Sequence, residues 1–555
     1  MLYGLIGENV QFSFSKQIHK NLHSPSYELW SLSKEHFLTF LKQKNFNGIN
    51  VTIPYKEVAI QVVDEVDSTA KTIGSINTII KKDQKLIGYN TDYLGFEFLL
   101  DMYQIPLENK KIIILGSGGT AKTVAYVAKK RKCKSIAFVS REKKENGWTY
   151  EDLKQLQDYE ILINTTPNGM KGKEEKKLVD FNIFNHLEWA IDLIYNPLKT
   201  SLLLEAESKN IKIASGLLML VAQAFYSEEL FQQQTLDTHK ILEEYQKLFL
   251  ATMNIVLIGM PGAGKTTITK LLSNKWNKEY LSIDQEIEKK EQLPIKEIFL
   301  LYGEKHFRDI EQSITQQIGL CQGKIIDTGG GIVLNESNIF SLKKNGILVY
   351  IDRGLDNIQL NKERPLAQNY SDLKQLYQQR KDRYERYCDI KIDNNLSIHQ
   401  VLEKIQEAIY AYTHLNGPNL NLLGIREPAV YGTKTYKDLC RYLKQKSHTF
   451  HQKIKIKQSN YEGYLITQLQ KASKKYDYVL LNAGGLTHTS VALADAIASC
   501  SIPVIEIHLS QVDQREDFRK INFIRQYCQC SFVGKGFLSY GEALDYIQKK
   551  EGDKK

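Results

Sequence analysis

The stretch "MNIVLIGMPGAGKTTITKLL", residues 253–272, places a glycine-rich turn between an apolar run and a helical pattern. Its residues 259–266 fit G-x-x-x-x-G-K-[ST], in which backbone N–H groups at the start of a helix cradle phosphates. Lys265 is expected to reach the β- and γ-phosphates of ATP, and Thr266 to bind Mg²⁺. The alternative, a glycine turn without a ligand, is disfavoured by the strand before it and the helix after it. The predicted nucleotide-binding residues are Gly262, Gly264, Lys265, Thr266 and Thr267, with Thr266 as the metal ligand.

The same stretch reads like the start of a protein, although it lies near the middle of a chain of 555 residues. A second such opening is "HLNGPNLNLLGIREPAVYG", residues 414–432. A chain of this length predicts three or four domains. Short apolar runs alternate with amphipathic stretches almost throughout, which predicts an α/β fold with mostly parallel sheets. At both junctions a helical pattern passes almost directly into the next opening, so the domains either pack together or pivot on very few residues.

The composition is that of an ordinary globular protein, with 42% hydrophobic and 25% charged residues. No run approaches the roughly 18–20 apolar residues of a membrane span, and the first residues lack the pattern of a secretory signal. The seven cysteines are scattered, which predicts reduced thiols and a cytoplasmic location. The net charge of +10 predicts either a generally basic surface or small anionic substrates. Nucleic acid is disfavoured because the lysines form no stripe with arginines and aromatic residues.

The segments that follow the phosphate-binding turn indicate the acceptor. They are "SIDQEIEKK" (282–290), "FLLYGEKHFRDIE" (299–311), "DTGGGIV" (327–333), "ERPLAQ" (363–368) and "RKDRY" (380–384). Through them residues 253–410 resemble shikimate kinase. The resemblance implies that Asp284 is the base for the acceptor hydroxyl and that Arg308 and Arg380 bind the substrate carboxylate, which a guanidinium fork fits. It also implies a lid carrying Arg364, which neutralises the transferring phosphoryl group, and a substrate wall formed by Gly329, Gly330 and Gly331.

Two departures from the kinase family concern the nucleotide. The family usually carries an aspartate two positions before the base, where it helps to order the metal waters, but this chain has Ser282. The lid also looks short, and no arginine that would stack on adenine is evident. The departures put the affinity for metal and for ATP in question more than the reaction.

The first segment contains a lysine and an aspartate that could pass a proton between them. Lys56 lies in "NVTIPYKE" (50–57) and Asp92 in "NTD" (90–92). Further on, "GSGGTAK" (116–122) is a G-x-G-x-x-A turn between a strand and a helix, a dinucleotide-binding pattern. The next strand ends in Ser140 and Arg141 rather than in an acidic residue, which favours the 2′-phosphate of NADP over NAD. Lys143 and Lys144 are positively charged like Arg141 and favour the same cofactor, although a solvated basic loop accounts for these two lysines equally well.

As a whole, residues 1–252 resemble shikimate dehydrogenase, on the strength of "SFS" (13–15), "GSINTI" (74–79), "NTTPNGM" (164–170), "DLIYNP" (192–197) and "GLLMLVAQA" (216–224). The resemblance implies reduction of a ring ketone by NADPH, with Lys56 and Asp92 as the catalytic pair. The substrate-binding residues that it implies are Ser13, Ser15, Thr52, Asn77, Tyr195 and Gln223. The cofactor-binding residues are Gly116, Gly118, Gly119, Ser140, Arg141, Gly216 and Met219.

The last segment, residues 411–555, resembles type II dehydroquinase through its opening and through "LNAGGLTHTSVAL" (481–493), "IPVIEIHLS" (502–510) and "REDFR" (515–519). The resemblance implies that Tyr431 removes the proton next to a ketone. Free tyrosine ionises with a pKa near 10, so its anion lies about 4 kcal/mol uphill at neutral pH. Arg426, on the same loop, is the cation that would reduce that cost.

The other groups of this segment follow from the same resemblance. Asn419 would hold a water against the enolate oxygen, and His508, oriented by Glu506, would protonate the leaving hydroxyl. Arg515 would support the loop and the subunit contacts. The implied substrate-binding residues are Asn482, His488, Asp495, Ser510 and Arg519.

Together the resemblances imply three consecutive steps of the shikimate pathway of aromatic amino acid biosynthesis. 3-Dehydroquinate is dehydrated, the product is reduced by NADPH to shikimate, and shikimate is phosphorylated by ATP with Mg²⁺. The expected architecture is a two-lobed dehydrogenase with a Rossmann NADP lobe, a P-loop kinase and a flavodoxin-like dehydroquinase. The predicted ranges are 1–252 (substrate lobe 1–100, NADP lobe 101–225, returning helix 226–252), 253–410 and 411–555.

Two questions stay open in the sequence. The kinase segment could instead be impaired and serve as a nucleotide-binding or structural module, an alternative that Ser282 and the short lid motivate. The dehydroquinase resemblance implies a homo-oligomer built from trimers, up to a dodecamer, although the short junctions leave a smaller assembly open. From the charge pattern and the apolar runs, no nucleic acid and no membrane are expected among the partners.

Overall fold

The computed structural model describes residues 2–22, 26–142, 147–236, 238–358, 369–413, 439, 442–443, 446, 462–472, 477–488, 490–509 and 522–552. The chain divides into two compact units, Met1–Thr413 and His414–Lys555. The first unit contains three sheets and the second contains a fourth. The predicted residues Lys143, Lys144, Arg364, Asn419, Arg426, Tyr431, Ser510, Arg515 and Arg519 lie outside the described residues.

A six-stranded sheet of order β2-β1-β3-β5-β6-β4 forms the first lobe. The β1–β2, β1–β3 and β4–β6 pairs are parallel, whereas β3–β5 and β5–β6 are antiparallel. Its buried positions are mainly branched aliphatic and aromatic residues, which suit a pleated core surface. The elements are β1 (Tyr3–Gly7), α1 (Ser15–Asn21), β2 (Tyr27–Ser31), α2 (Lys34–Gln43), β3 (Gly48–Val51), β4 (Glu65–Val66), α3 (Ser68–Ile73), β5 (Thr78–Lys82) and β6 (Lys85–Tyr89).

The second lobe is a six-stranded sheet of order β12-β11-β10-β7-β8-β9, in which all pairs are parallel. Its central strands are fully buried apolar runs, as expected for strands covered on both faces. The elements are α4 (Asp92–Tyr103), β7 (Lys111–Leu115), α5 (Gly119–Lys130), β8 (Ser135–Ser140), β9 (Trp148–Thr149), β10 (Ile161–Asn164), β11 (Trp189–Asp192), α6 (Ser201–Ser208), β12 (Lys212–Ser215), α7 (Leu217–Gln232) and α8 (His239–Thr252).

The third sheet follows at once, with five parallel strands in the order β14-β15-β13-β16-β17. Its central strand, β13, passes into the phosphate-binding turn. The elements are β13 (Asn254–Ile258), α9 (Lys265–Trp276), β14 (Glu279–Ser282), α10 (Ile283–Glu291), α11 (Ile295–Gly319), β15 (Lys324–Asp327), α12 (Glu336–Lys343), β16 (Gly346–Asp352), α13 (Tyr370–Tyr387), β17 (Ile390–Asp393) and α14 (Ile398–Thr413). Helix α11 is kinked at Gly303, whose φ of 80° suits glycine.

The junction between the second and third sheets is packed rather than extended. Helix α8 ends at Thr252 and β13 begins two residues later. The Nζ of Lys278 donates to the carbonyls of Leu250 and Met253, at 2.6 and 3.1 Å, and so satisfies carbonyls at the end of the helix. The backbone N–H of Leu198 donates to Asn345 Oδ1 across the same junction, at 3.0 Å. Side-chain and backbone polar groups therefore fix how these two parts meet.

Within the second unit, the described strands form a parallel sheet of order β18-β19-β20. Its elements are α15 (Glu462–Ala472), β18 (Val479–Leu481), α16 (Val491–Ala498), β19 (Val504–His508), β20 (Cys530–Val533) and α17 (Phe537–Gly552). Apolar side chains of β19 and α17 pack together in one cluster, and those of β18 and α16 in another.

The predicted α/β class with mostly parallel sheets is confirmed. The exception is the first lobe, where β5 runs antiparallel to both neighbours. Within the described part of the chain, no helix combines the length and the hydropathy that a membrane crossing requires.

Candidate active sites

In the first lobe, Lys56 and Asp92 form a close ion pair. The distance from Lys56 Nζ to Asp92 Oδ2 is 2.6 Å, and the two side chains are 14% and 7% exposed. Lys56 follows β3, and Asp92 begins α4. Because the pair is mostly shielded from water, it can hold a proton donor in a defined position.

A buried amide orients this pair. Asn77 Nδ2 lies within hydrogen-bonding distance of Asp92 Oδ1 (3.0 Å), Gln223 Oε1 (3.1 Å) and Thr91 Oγ1 (2.9 Å). Gln223 comes from α7, which approaches α4 closely at Gly95, since a Cβ there would lie 2.7 Å from the carbonyl of Met219. The packing of α7 on α4 thus brings Gln223 and Asp92 together at the amide of Asn77.

The two serines that were predicted to bind a carboxylate are adjacent. Ser13 Oγ donates to Ser15 Oγ at 3.0 Å, at the start of α1. The ring of Tyr195 lies 5.5 Å from that of Phe14. Burial raises the pKa of Tyr195 while a hydrogen bond with Ser13 lowers it, so this phenol stays a neutral hydrogen-bonding group. Thr52 packs beside Gly7, where a Cβ would lie 2.5 Å from its methyl group.

The glycine-rich turn joins β7 to α5 next to this lobe. Gly116 has a φ of 109° and packs against Thr165, so a side chain would be strained and blocked. Beside it, a Cβ on Gly118 would meet nothing within 4 Å, which leaves open space at the start of α5. A Cβ on Gly119 would lie 3.3 Å from Lys56 Cβ. This turn therefore fits a dinucleotide, and it lies close to Lys56, the predicted catalytic lysine.

The other predicted cofactor residues are more dispersed. Ser140 Oγ donates to the carbonyl of Glu142 at 2.6 Å, and Arg141 is exposed at the end of β8. Gly216 lies against the carbonyl of Leu193, which leaves no room for a side chain. Met219 is only 6% exposed and belongs to the hydrophobic core, so most of its side chain is committed to packing.

Beside the third sheet, the phosphate-binding turn lines an open pocket of about 400 Å³. Lys265 Nζ donates to the carbonyls of Gly259 and Met260, at 3.0 and 3.1 Å. Thr266 Oγ1 donates to Asp327 Oδ2 at 2.5 Å. The cavity is lined by Gly262, Gly264, Lys265, Thr266, Thr267, Arg353 and Asn357. The predicted nucleotide residues all lie here, and the size and donors of the cavity fit a nucleotide phosphate.

The predicted acceptor base lies beside the glycine run. A Cβ on Gly329 would lie 2.9 Å from Asp284 Oδ1, an atom that is buried and has no hydrogen-bond partner among the described residues. Burial, reinforced by the nearby carboxylate of Glu311, raises the pKa of Asp284 to about 6. A carboxyl group with such a pKa can accept a proton near neutral pH.

Two arginines flank the same run. Arg308 Nη1 donates to Glu311 Oε2 at 2.9 Å, and its guanidinium lies where a side chain on Gly331 would be. Arg380 is buried, its Nε has no partner within the part of the chain that the structure describes, and burial lowers its pKa. Tyr384 donates its hydroxyl to the carbonyl of Gly330. The run thus contacts both the predicted base and the predicted carboxylate-binding groups.

In the second unit, His508 and Glu506 lie on β19. His508 Nε2 is 2.8 Å from Glu506 Oε1, and both residues are buried. Glu506 also accepts from Asn522 Nδ2 (2.6 Å), Arg525 Nε (2.9 Å) and Ser531 Oγ (2.5 Å). These hydrogen bonds hold the pKa of Glu506 far below its usual range despite burial, so it stays a carboxylate that orients the imidazole.

Three other predicted residues belong to this unit. Asn482 follows β18 and accepts from the N–H of Gly484 at 3.2 Å. His488 ends a short 3₁₀ helix, Gly484–His488. Asp495 is exposed on α16. Asn482 and His508 share the carboxyl edge of the sheet, where ligands of parallel sheets bind, whereas Asp495 faces solvent in the single chain.

Comparison with known proteins identifies three families along the chain. A shikimate dehydrogenase substrate-binding domain matches residues 5–79, shikimate kinase matches 261–410, and class II dehydroquinase matches 410–548. The shikimate dehydrogenase (NADP(+)) of Clostridium beijerinckii is 37% identical over 264 residues, which are 44% of this chain and 97% of that protein. The enzyme of Clostridium perfringens strain 13 is 35% identical, covering 44% and 98%.

Similar solved structures also include shikimate dehydrogenases. Shikimate dehydrogenase 1 of Peptoclostridium difficile is 34% identical, with 45% of this chain and 98% of that chain covered and a TM-score of 0.43. A chorismate mutase/shikimate 5-dehydrogenase fusion protein of Clostridium acetobutylicum is 33% identical, covering 44% and 96%, with a TM-score of 0.42. By the sequence matches, the chain belongs to the shikimate dehydrogenase family in its first part, and it continues through a shikimate kinase domain into a class II dehydroquinase domain.

Proposed function

We propose that this single chain dehydrates 3-dehydroquinate, reduces the product to shikimate and phosphorylates shikimate. The observation that carries the proposal is the order of the three families, each with a constellation of polar side chains at the carboxyl ends of its strands. All the intermediates are ring carboxylates, which accounts for paired serines at one site and a pair of arginines at another.

In the dehydrogenase, Lys56 would give a proton from its Nζ to the oxygen of the ring ketone. Asp92 would hold that lysine in place and share the proton. NADPH supplies the hydride when it is bound. Ser13 and Ser15 would bind the carboxylate, and Asn77 and Gln223 would hold the ring hydroxyls. The closeness of the glycine-rich turn to Lys56 supports this assignment, because the hydride must reach the carbonyl carbon whose oxygen Lys56 protonates.

In the kinase, Asp284 would accept the proton of the attacking hydroxyl, while Arg308 and Arg380 would bind the carboxylate. ATP with Mg²⁺ supplies the phosphoryl group when it is bound, and Lys265, Thr266 and Thr267 would hold its phosphates. Arg353 lines the cavity beyond the turn. It is our candidate for the contact with the adenine base, for which no arginine was evident in the sequence.

In the dehydroquinase, His508 would protonate the leaving hydroxyl, held in place by Glu506. Asn482 and His488 would bind the substrate. The removal of the proton by Tyr431 and the role of Arg426 stay predictions from the sequence. Assembly through this domain and a cytoplasmic location are likewise proposals. The second rests on the cysteines, since the six that lie in the described residues form no disulfide there.

A variant of the P-loop lysine distinguishes an active kinase from an impaired segment that only binds nucleotide or has a structural role. Lys265→Ala removes a buried cation from the phosphate site, so we expect ATP-dependent phosphorylation of shikimate to fall by about 10²- to 10³-fold. The same preparation should reduce 3-dehydroshikimate at the wild-type rate. Assays of ATP-dependent shikimate phosphorylation, with the wild type and with Lys265→Ala, measure the difference in rate. A wild-type chain that binds ATP without phosphorylating shikimate would favour the impaired module.

The kinase should also lose activity in mild acid. Asp284 must be ionised to accept a proton, and its pKa is raised to about 6, so kcat/KM for shikimate should fall about tenfold per pH unit below pH 6. Shikimate and ATP titrations between pH 5 and 8 measure the profile, with the dehydrogenase reaction of the same chain as the control for acid damage. A profile that is flat down to pH 5 would contradict the assignment of Asp284 as the base.

A further inference from the structure

Two loops of the dehydrogenase part meet beside its candidate substrate site. One loop, residues 165–180, follows β10, and the other, residues 193–200, follows β11 and carries Tyr195. The N–H of Lys171 in the first loop donates to the carbonyl of Asn196 in the second at 2.8 Å. Tyr195 in turn forms a hydrogen bond with the first of the two serines that are predicted to bind the carboxylate. Contacts that fix these two loops therefore also fix Tyr195.

The kinase part holds the 193–200 loop through three hydrogen bonds. They join Asn196 Oδ1 to Gln322 Nε2 (3.0 Å), the N–H of Leu198 to Asn345 Oδ1 (3.0 Å) and the N–H of Lys199 to the carbonyl of Lys344 (2.8 Å). Asn196 and Asn345 are both buried. Because a buried polar group that loses its partner cannot easily turn to water, these hydrogen bonds are costly to break.

The 165–180 loop is held by an ion pair with the same part of the kinase. Lys344 Nζ donates to Glu175 Oε2 at 2.6 Å, and the two side chains are 21% and 24% exposed. The other carboxylate oxygen, Oε1, accepts from the N–H of Ser201 at 2.9 Å and lies against Gly169. Burial acts to raise the pKa of Glu175, but the hydrogen bonds from Lys344 and Ser201 hold it below its usual value, so the residue stays a carboxylate.

We propose that Lys344 of the kinase part is a positioning residue for the dehydrogenase reaction, which acts through both loops to hold Tyr195 at the candidate carboxylate site. The inference rests on the proposed dehydrogenase function. Residues 165–180 and 193–200 form neither helix nor strand, so contacts with neighbouring elements set their positions. Lys344 contacts both loops, one through its side chain and the other through its carbonyl.

A simpler interpretation is that the contact only attaches the two parts to each other. The variant Lys344→Met distinguishes these interpretations, because it removes the ammonium group while its backbone carbonyl still accepts from Lys199. Looser loops would weaken binding of the substrate carboxylate in the ground state and in the transition state alike, which raises KM and leaves kcat unchanged. A weaker attachment alone would reduce the amount of folded enzyme, and with it the apparent kcat, but would leave KM unchanged.

Steady-state oxidation of NADPH by the full chain, at varied concentrations of 3-dehydroshikimate, measures both constants. We expect KM to rise about 3- to 10-fold in Lys344→Met, with kcat within about twofold of the wild type. Lys177→Met is the matched control, since Lys177 lies in the same loop but pairs with Glu205, within the dehydrogenase part, at 2.9 Å. The Lys177 side chain is exposed, so KM of this variant should stay within about twofold of the wild type.

Glu175→Gln is the second variant, because its amide oxygen still accepts from Ser201 while the charge that faces Lys344 is lost. It should raise KM by a similar factor, and the double variant should raise KM no further, since both changes break one pair. An unchanged KM in either single variant, or a product of the two effects in the double variant, would overturn the role of Lys344 and leave the dehydrogenase assignment standing. If the wild-type chain did not oxidise NADPH with 3-dehydroshikimate, both the inference and the dehydrogenase function would fall.

Discussion

Lys56→Ala should slow the turnover of bound 3-dehydroshikimate by about 10²- to 10⁴-fold while KM changes little. The ammonium group lies 2.6 Å from Asp92 in a mostly buried pair, and no other lysine or arginine forms an ion pair with Asp92 among the described residues. The substrate carboxylate is expected at Ser13 and Ser15, so its binding does not depend on Lys56. Steady-state oxidation of NADPH by the purified chain measures both the turnover rate and KM.

Lys85→Ala is the matched control for this experiment. Lys85 forms an exposed ion pair with Glu65 in the same lobe, at 2.7 Å, and such pairs contribute little to stability. The turnover rate of this variant should stay within about twofold of the wild type. A Lys56→Ala enzyme that keeps a tenth or more of the wild-type turnover rate would exclude Lys56 as the proton donor.

Glu506→Ala should destabilise the second unit by about 3 kcal/mol and remove its dehydratase activity. Glu506 is fully buried and pairs with His508, Asn522, Arg525 and Ser531, so its loss removes the shared acceptor of these four side chains. Breaking a buried ion pair usually costs about 3–5 kcal/mol, and we expect the lower end because the Arg525 side chain is 37% exposed. Urea unfolding followed by fluorescence measures the change.

The same glutamate predicts how this unit responds to acid. Its pKa in the folded state is held far below the unfolded value of about 4.3, so its contribution is complete above that value and is lost as the pH falls through the folded pKa. Glu542→Ala is the control, because Glu542 pairs with Lys535 on the surface and should matter by less than about 0.5 kcal/mol. Equal stability of Glu506→Ala and Glu542→Ala would contradict the structural role of Glu506.

Local patterns predicted most of the architecture. The apolar runs around 111–115, 161–164, 254–258 and 504–508 are all buried parallel strands. The glycine-rich turn that begins at Gly116 and the phosphate-binding turn that begins at Gly259 each connect a strand to a helix. In each turn, a glycine with positive φ allows the chain to change direction. The pairing of Lys56 with Asp92 was also predicted from the sequence, and it forms because each residue follows a strand of the same sheet.

The parts that the sequence did not predict depend on contacts between distant residues. In the sequence Asp327 is an ordinary strand end, and only the parallel register of β14 and β15 shows that it lies opposite Ser282. Asn522 and Arg525 meet Glu506 only because β19 lies between β18 and β20. The contact of Leu198 with Asn345 joins the dehydrogenase part of the chain to the kinase part, so no pattern within either part could reveal it.

The most direct test of the account gives the purified chain 3-dehydroquinate, NADPH and Mg-ATP together and follows the products by mass spectrometry. We predict the successive appearance of a species that has lost one water, a species that has then gained two hydrogens, and a species that has gained a phosphoryl group. Leaving out Mg-ATP should stop the series at the reduced product, and leaving out NADPH should stop it at the dehydrated product. A series that ends before the phosphorylated product, with all three components present and the chain folded, would contradict the claim that one polypeptide carries three working sites.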